Sequence, residues 1–192
     1  YGEREKFNID LEIYCPGFID FIGFGLFKKN INPSLILNLN ESYQKGSICY
    51  ICGPIFISNK ELFFQNECFS LIDNLAKKYS CSIRVHPKDN FKKVYDSFCK
   101  HSKNIEKINI FKSNSKFESI SIHTKICIFD YPHSTLFWAA KSQGLKSILI
   151  FDLDKSKSIS KKLLKKYDLI INPKNYNWEN DILKYINSYI EN

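Results

Sequence analysis

From Ser47 onward, short apolar runs alternate with longer stretches whose apolar residues recur at helical spacing. The apolar runs predict buried strands, and the stretches between them predict amphipathic helices. Short strands rich in Ile and Val, each followed by a helix, are typical of a parallel sheet covered on both faces. The predicted strands are 48–52, 81–85, 107–111, 125–129, 147–151 and 169–171. The sequence therefore predicts an α/β fold: a doubly wound, mostly parallel, Rossmann-like sheet of about six strands with helices on both faces.

The helices are predicted from their apolar stripes and from residues that start or stop a helix. We expect helices over 59–78, from Asp89 or Asn90 to 101, and over 115–121, 134–143, 158–167 and 178–190. Gly144 suits the stop of the helix over 134–143. In the second helix, the residues expected to face the core are Phe91, Val94, Tyr95 and Phe98.

Residues 1–46 lack this rhythm and are predicted to be irregular, with a strand near 7–14. Gly23-Phe24-Gly25 has neither the third glycine nor the preceding strand of a dinucleotide-binding loop. Because Tyr1-Gly2-Glu3-Arg4 is not a natural start, we expect a piece of a longer protein. The predicted division is 1–46, a linker or the tail of a missing N-terminal domain, and 47–192, a Rossmann-like domain.

Two segments share one layout: an apolar run, a polar turn and then a helix. They are Ser82-Ile83-Arg84-Val85-His86-Pro87-Lys88 and Phe129-Asp130-Tyr131-Pro132-His133-Ser134-Thr135. In a parallel sheet both turns would lie at the carboxyl ends of the strands, which is where open α/β sheets bind ligands.

The first turn offers a histidine at a strand end. His86 could donate a hydrogen bond to a phosphate and offset charge on a leaving group. Pro87 has no N–H to continue the backbone hydrogen bonds of the strand, and it biases the backbone of His86 away from helical dihedral angles. Lys88 adds a positive charge. The alternative is an ordinary polar strand end before a helix.

The second turn offers an anion site. The Ser134 and Thr135 hydroxyls, with the N–H groups of a first helical turn, suit a phosphate. The alternative is an ordinary helix cap, a role that Ser and Thr prefer. Asp130 could cap or orient this turn, and His133 is either a ligand contact or a solvated loop residue.

Glu118 lies in the short helix predicted after the third strand, where a carboxylate could hold ribose hydroxyls. A plain surface glutamate is the alternative. His101 and His123 are expected at the surface, and no ligand spacing in the sequence predicts a metal site.

The net charge of +8 is nearly all lysine. The lysines are scattered, except for Lys161-Lys162 and Lys165-Lys166, and a bias towards Lys, Asn, Ile, Phe and Tyr can arise from AT-rich coding. We therefore predict a solvated basic surface and no nucleic-acid partner. Peripheral contact of the 161–166 helix with a membrane stays open as an alternative.

The seven cysteines include Cys49 and Cys52, which form a C-x-x-C pair inside a predicted strand. Strand alternation would place these two on opposite faces, which argues against a redox or zinc motif. We expect buried structural cysteines and a reducing, cytoplasmic compartment.

The order of these features resembles the C-terminal, donor-binding half of GT-B glycosyltransferases. More narrowly, it is similar to bacterial lipooligosaccharide sialyltransferases and capsule polysialyltransferases, which carry a His-Pro motif and a Ser-Ser/Thr motif. The matching stretches are Ile51-Cys52-Gly53-Pro54, Ile83-Arg84-Val85-His86-Pro87-Lys88 and Tyr131-Pro132-His133-Ser134-Thr135-Leu136. The similarity covers roughly residues 47–190.

The resemblance implies a CMP-linked sugar donor, a glycan acceptor, no metal and no other cofactor. It implies that His86 contacts the CMP phosphate and assists its departure, that Ser134 and Thr135 hold the same phosphate, and that Glu118 contacts the ribose or base. Gly53, Pro87, Lys88 and His133 would line the donor site. Such an enzyme would work in the cytoplasm or at the inner membrane face.

These families place their catalytic base in an acidic-acidic-Gly motif of the N-terminal half, and this chain has no such motif. Two other functions stay open from the sequence. One is a polymer transferase that uses CDP-linked glycerol or ribitol, and the other is a nucleotide-binding module without catalytic activity.

Overall fold

A computed structural model describes residues 48–54, 62–112, 117–154 and 159–190, without the side chains of 62–65, 118 and 119. The strands are β1 (Ile48–Ile51), β2 (Cys81–Arg84), β3 (Ile108–Phe111), β4 (Ile126–Phe129), β5 (Lys146–Ile150) and β6 (Leu169–Ile171). The helices are α1 (Leu62–Leu75), α2 (Phe91–His101), α3 (Phe117–Ser121), α4 (Thr135–Ser142), α5 (Lys161–Leu164) and α6 (Trp178–Ile190). The strand predicted near 7–14, the rest of residues 1–47 and the residues preceding α1 lie outside the described residues.

The six strands form one parallel sheet in the order β3-β2-β1-β4-β5-β6. The chain first adds strands on one side of β1 and then crosses to add β4, β5 and β6 on the other side. In register, Ile51 of β1 pairs with Arg84 of β2 and with Phe129 of β4. The order reverses at β1 and β4, and the predicted doubly wound fold is confirmed.

The sheet separates two apolar cores. Because side chains alternate along a strand, neighbouring residues of β1 enter different cores: Tyr50 faces α1, α2 and α6, whereas Cys49 and Ile51 face α3, α4 and α5. β1 and β4 are buried along their whole length. Their position between two layers of helices explains why both strands read as unbroken apolar runs.

The helix ends follow the predicted chemistry. Asn90 is the N-cap of α2, and its side-chain oxygen accepts a hydrogen bond from the backbone N–H of Lys93. Gly144 follows α4 with a φ of 75°, in the left-handed region that favours glycine. The predicted stop of this helix is therefore confirmed.

Two predicted details were wrong. Tyr95 does not face the core; it is 40% exposed and stacks on the ring of Phe91 one turn earlier on the helix surface. The helix predicted over 158–167 is shorter in the structure, where α5 spans Lys161–Leu164 and the chain then turns into β6. After Leu164 the chain forms tight turns instead of α-helix, because the backbone N–H groups of Lys166 and Tyr167 donate to carbonyl oxygens three residues earlier.

Candidate functional site

The segments that follow β1, β2 and β4 lie at the same edge of the sheet, where the strand order reverses. Two residues beyond the paired Ile51, Arg84 and Phe129, the chain reaches Gly53, His86 and Tyr131. The backbone hydrogen bonding between β1 and β2 continues beyond the end of β1, because the backbone N–H of Cys52 donates to the carbonyl oxygen of Arg84 at 3.0 Å. In doubly wound sheets, the carboxyl edge at such a reversal of strand order forms the crevice that binds ligands.

Asp130 joins two of these segments. Its carboxylate accepts a hydrogen bond from the Tyr50 hydroxyl at 2.5 Å and another from the backbone N–H of Gly53. The sequence suggested that Asp130 could cap or orient the turn before α4. It orients this edge, whereas the N-cap position of α4 belongs to Ser134.

Gly53 permits this contact because it has no side chain. A Cβ atom at residue 53 would lie 2.7 Å from Cβ of Tyr131 and 2.9 Å from Oδ1 of Asp130. Contacts this short do not occur between real Cβ atoms and their neighbours. The sequence placed Gly53 at the site by resemblance, and the structure supplies a physical reason for a glycine at this position.

His86 is half-buried beyond the end of β2. Its Nδ1 accepts a hydrogen bond from the backbone N–H of Lys88 at 3.2 Å, and its carbonyl oxygen accepts one from Asp89 at 3.0 Å. The tight turn through Pro87 therefore fixes the ring. With Nδ1 occupied as an acceptor, a neutral His86 carries its proton on Nε2, which becomes the donor available to a ligand.

The charge state of His86 follows from its surroundings. Burial lowers the pKa of His86, the Asp89 carboxylate opposes this shift, and the charges of Lys88 and Arg84 lower the pKa further. Because its pKa lies below the usual value for histidine, the imidazole is mainly neutral at pH 7 and presents Nε2–H as a hydrogen-bond donor. Of the two roles that the sequence suggested, hydrogen-bond donation to a phosphate and an offset of charge on a leaving group, the neutral ring suits the first.

The turn after β4 presents Ser134 and Thr135, both half-buried, at the start of α4. The Ser134 side chain makes no capping hydrogen bond to the helix. Its carbonyl oxygen accepts from Phe137 at 3.1 Å, which fixes the first turn. An uncapped first turn keeps backbone N–H groups directed towards the edge, where the helix dipole favours an anion.

The first turn of α4 lies two strands away from His86. Since β1 separates β2 from β4 and neighbouring strands lie about 4.8 Å apart, about 10 Å of sheet edge separates the two segments. The fold thus brings the predicted His-Pro and Ser-Thr segments to one crevice.

Asp130 introduces a negative charge into this crevice. Burial raises the pKa of Asp130 to about 6; the hydrogen bonds from Tyr50 and Gly53 lower it, and the nearby Asp89 raises it. A carboxyl group that titrates near neutral pH, at the ligand-binding edge of a sheet, is a candidate functional group. The sequence alone indicates only a capping or orienting role for Asp130, because Gly53 and Tyr50 are remote along the chain.

The other predicted residues differ in their surroundings. Pro87 and Lys88 are exposed beside His86. His133 is exposed, and its ring packs edge-on against Tyr131 at 5.8 Å. Glu118 lies in α3, after β3, but its side chain lies outside the described residues. His101 is exposed at the end of α2, as predicted, whereas His123 is half-buried.

The cysteines of the described ranges are free. Cys49 and Cys52 are buried in different cores, as the alternation predicted, and burial raises the pKa of Cys49 to about 11. Both thiols are therefore structural. Among the residues placed in the structure, no group of three or more His, Cys, Asp or Glu side chains is arranged to hold a metal ion.

Comparisons with known proteins identify no family for this chain. No model of a known protein family matches it, and no curated protein matches it significantly. Within 48–54, 62–112, 117–154 and 159–190, no helix combines the length and apolar character needed to cross a bilayer.

Proposed function

We propose that this chain binds the nucleotide end of a CMP-activated sugar, as the donor-binding domain of a GT-B glycosyltransferase. The product would be a bacterial surface polysaccharide or lipooligosaccharide. The observation that carries the proposal is the meeting of His86, Gly53 and the Ser134-Thr135 turn at one reversal of strand order. This arrangement suits a phosphate, and the two motifs occur in the order found in the sialyltransferases that the sequence resembles.

In the proposed site, the donor phosphate lies over Gly53. Nε2–H of His86 donates to one phosphate oxygen, and the N–H groups at the start of α4 donate to another, with the hydroxyls of Ser134 and Thr135. These donors are fixed before the ligand arrives. They stabilise negative charge as it develops on the leaving phosphate.

The proposed reaction is an inverting displacement. The acceptor hydroxyl oxygen attacks the anomeric carbon of the sugar, and a base supplied outside this chain takes the hydroxyl proton. A new bond forms between carbon and the acceptor oxygen, while the bond to the phosphate oxygen breaks and CMP leaves with the electron pair. His86 assists by its hydrogen bond to the departing phosphate.

A thermal-shift panel tests this proposal. The 192-residue chain is melted with CMP, CDP, UDP, GDP or ADP at fixed salt. A ligand at about 100 times its Kd stabilises the folded state by about 2.7 kcal/mol, which raises the Tm of a chain this size by about 5 °C or more. We expect CMP to give the largest rise, and His86→Ala to remove it.

His101→Ala is the matched control, because it deletes an exposed imidazole at the far end of α2. It should leave the CMP shift intact. A flat panel, or a full CMP shift in His86→Ala, would contradict the proposal. A preference for CDP would redirect the proposal to the polymer transferases that use CDP-linked glycerol or ribitol.

A further inference from the structure

The Asp130 carboxyl group lies where the segments after β1 and β4 meet. Its two oxygens accept from Tyr50 of β1 and from the backbone N–H of Gly53, so it fastens the Gly53 segment to the end of β4. The Cβ distances at residue 53 show how close this approach is. Movement of Asp130 would move Gly53 and the floor of the crevice.

Several titratable groups surround this carboxyl group. Tyr50 faces it from β1, Asp89 from the turn before α2, Cys52 from the segment after β1, and Cys68 from α1. None of these four side chains carries a positive charge. A negative charge on Asp130 therefore gains hydrogen bonds but no ionic partner among them, and it lies close to a second carboxylate.

We propose that Asp130 is the positioning residue of the phosphate site, and that an anionic phosphate binds best when the Asp130 carboxyl group carries a proton. This inference rests on the proposed function. The neutral form keeps a hydrogen-bonded contact between the two segments and removes a negative charge from beside the ligand. The ionised form keeps the contact but repels the phosphate.

The raised pKa of Asp130 agrees with this geometry. Burial raises the pKa of Asp130 to about 6 in the absence of ligand. A phosphate placed over Gly53 would raise the pKa further, since a nearby like charge disfavours ionisation. Binding above about pH 6 would thus take up a proton, and affinity would fall as pH rises.

The test measures the Kd of the methyl ester of CMP by isothermal titration calorimetry, from about pH 6 to about pH 8. This phosphodiester keeps a single charge over that range, so the probe itself does not titrate. Burial lowers the pKa of His86, and Asp130→Asn leaves His86 in place, so a pH dependence caused by that ring would persist in the variant. We expect the affinity of the unmodified chain to fall about tenfold or more across the range.

Asp130→Asn should remove this pH dependence and bind at about pH 8 nearly as tightly as the unmodified chain at about pH 6. Asparagine can still accept from Gly53 through its oxygen and donate to the Tyr50 hydroxyl through its nitrogen. Asp130→Ala, which lacks both contacts, should bind weakly throughout. A residue that served only to stabilise the fold would not alter the pH profile of Kd.

Asp152→Asn is the matched control. Asp152 follows β5 at the same sheet edge, is largely buried and pairs with Lys174 at 3.1 Å. Its substitution removes the same charge without touching Gly53, so the pH profile should keep its slope. Equal slopes in Asp130→Asn and the unmodified chain would overturn this inference while leaving the phosphate site in place. Failure of the unmodified chain to bind would overturn the proposed function and this inference together.

Discussion

Gly53 shows how one residue sets the spacing of two segments. The hydrogen atom in place of a side chain lets Asp130 and Tyr131 approach the backbone more closely than any Cβ would allow. The hydrogen bond from Gly53 to Asp130 depends on this approach. At residue scale, the shape of the crevice therefore depends on a contact between residues far apart in the chain.

Gly53→Ala should destabilise the fold by about 1–3 kcal/mol, because the added methyl group forces two backbone segments apart. It should also weaken CMP binding. Unfolding in urea and CMP titration measure the two effects. Gly144→Ala is the control. Alanine in this left-handed backbone conformation, with φ of 75°, should lower the free energy of unfolding by about 1 kcal/mol, but nothing lies within 4 Å of the new methyl group. That variant should bind CMP normally, and a normal affinity in Gly53→Ala as well would contradict the role given to Gly53.

Asp130 also has a cost in stability. The pKa of Asp130 is about 6 in the folded chain and 3.8 in the unfolded chain. The protonated carboxyl group therefore contributes fully to the stability of the fold below about pH 4, and this contribution is lost as the pH rises through 6. The shift corresponds to about 3 kcal/mol at neutral pH, since one pKa unit is worth about 1.4 kcal/mol. A group that weakens the fold while lying at the ligand edge fits a functional role better than a structural one.

At the scale of elements, Asp73 fastens α1 to the connection between α2 and β3. It is 6% exposed and accepts hydrogen bonds from the Ser102 hydroxyl at 2.5 Å and from the backbone N–H groups of Lys103 and Asn104. The side-chain amide of Asn104 donates to its second oxygen at 2.9 Å. Burial opposes ionisation, but these hydrogen bonds outweigh it and lower the pKa of Asp73.

Asp73→Asn should lower the free energy of unfolding by about 1–3 kcal/mol at neutral pH, because the new amide group faces the donor of Asn104. The lowered pKa means that the contribution of Asp73 is present above about pH 4 and is lost as pH falls below that value. The difference between the two chains should therefore shrink at about pH 3, as urea unfolding can show. Asp96→Asn, an exposed change on α2, is the control and should have little effect. An equally large loss in both variants would contradict the network.

Most strands and helices were predictable from the sequence, because buried strands appear as continuous apolar runs and helices as apolar residues at helical spacing. Cys49 and Cys52 could be assigned to opposite faces from alternation alone. Tyr95 could not be placed, since an aromatic residue on a helical stripe can also lie on the surface against its neighbour Phe91. The hydrogen bond from Gly53 to Asp130 could not be predicted either, because it depends on β1 and β4 being neighbours in the sheet.

At the scale of the whole molecule, one sheet serves two purposes. Its faces are sealed by two apolar cores, and its carboxyl edge gathers the polar segments that follow β1, β2 and β4. The sheet fixes the spacing between His86 and the start of α4, the two segments of the proposed phosphate site. Preorganised donors of this kind lose little entropy when they bind a phosphate.

The most direct test of a phosphate site at the reversal of strand order is an NMR titration. The amide chemical shifts of the 192-residue chain are recorded while CMP is added, and the same titration with cytidine, which has no phosphate, is the comparison. We predict that CMP, more than cytidine, shifts the amides of Gly53, His86, Thr135 and Leu136, which surround the proposed phosphate position. The amides of Lys161–Leu164, which form α5, should stay unchanged. Shifts confined to α5, or equal shifts with cytidine, would contradict a phosphate site at the reversal of strand order.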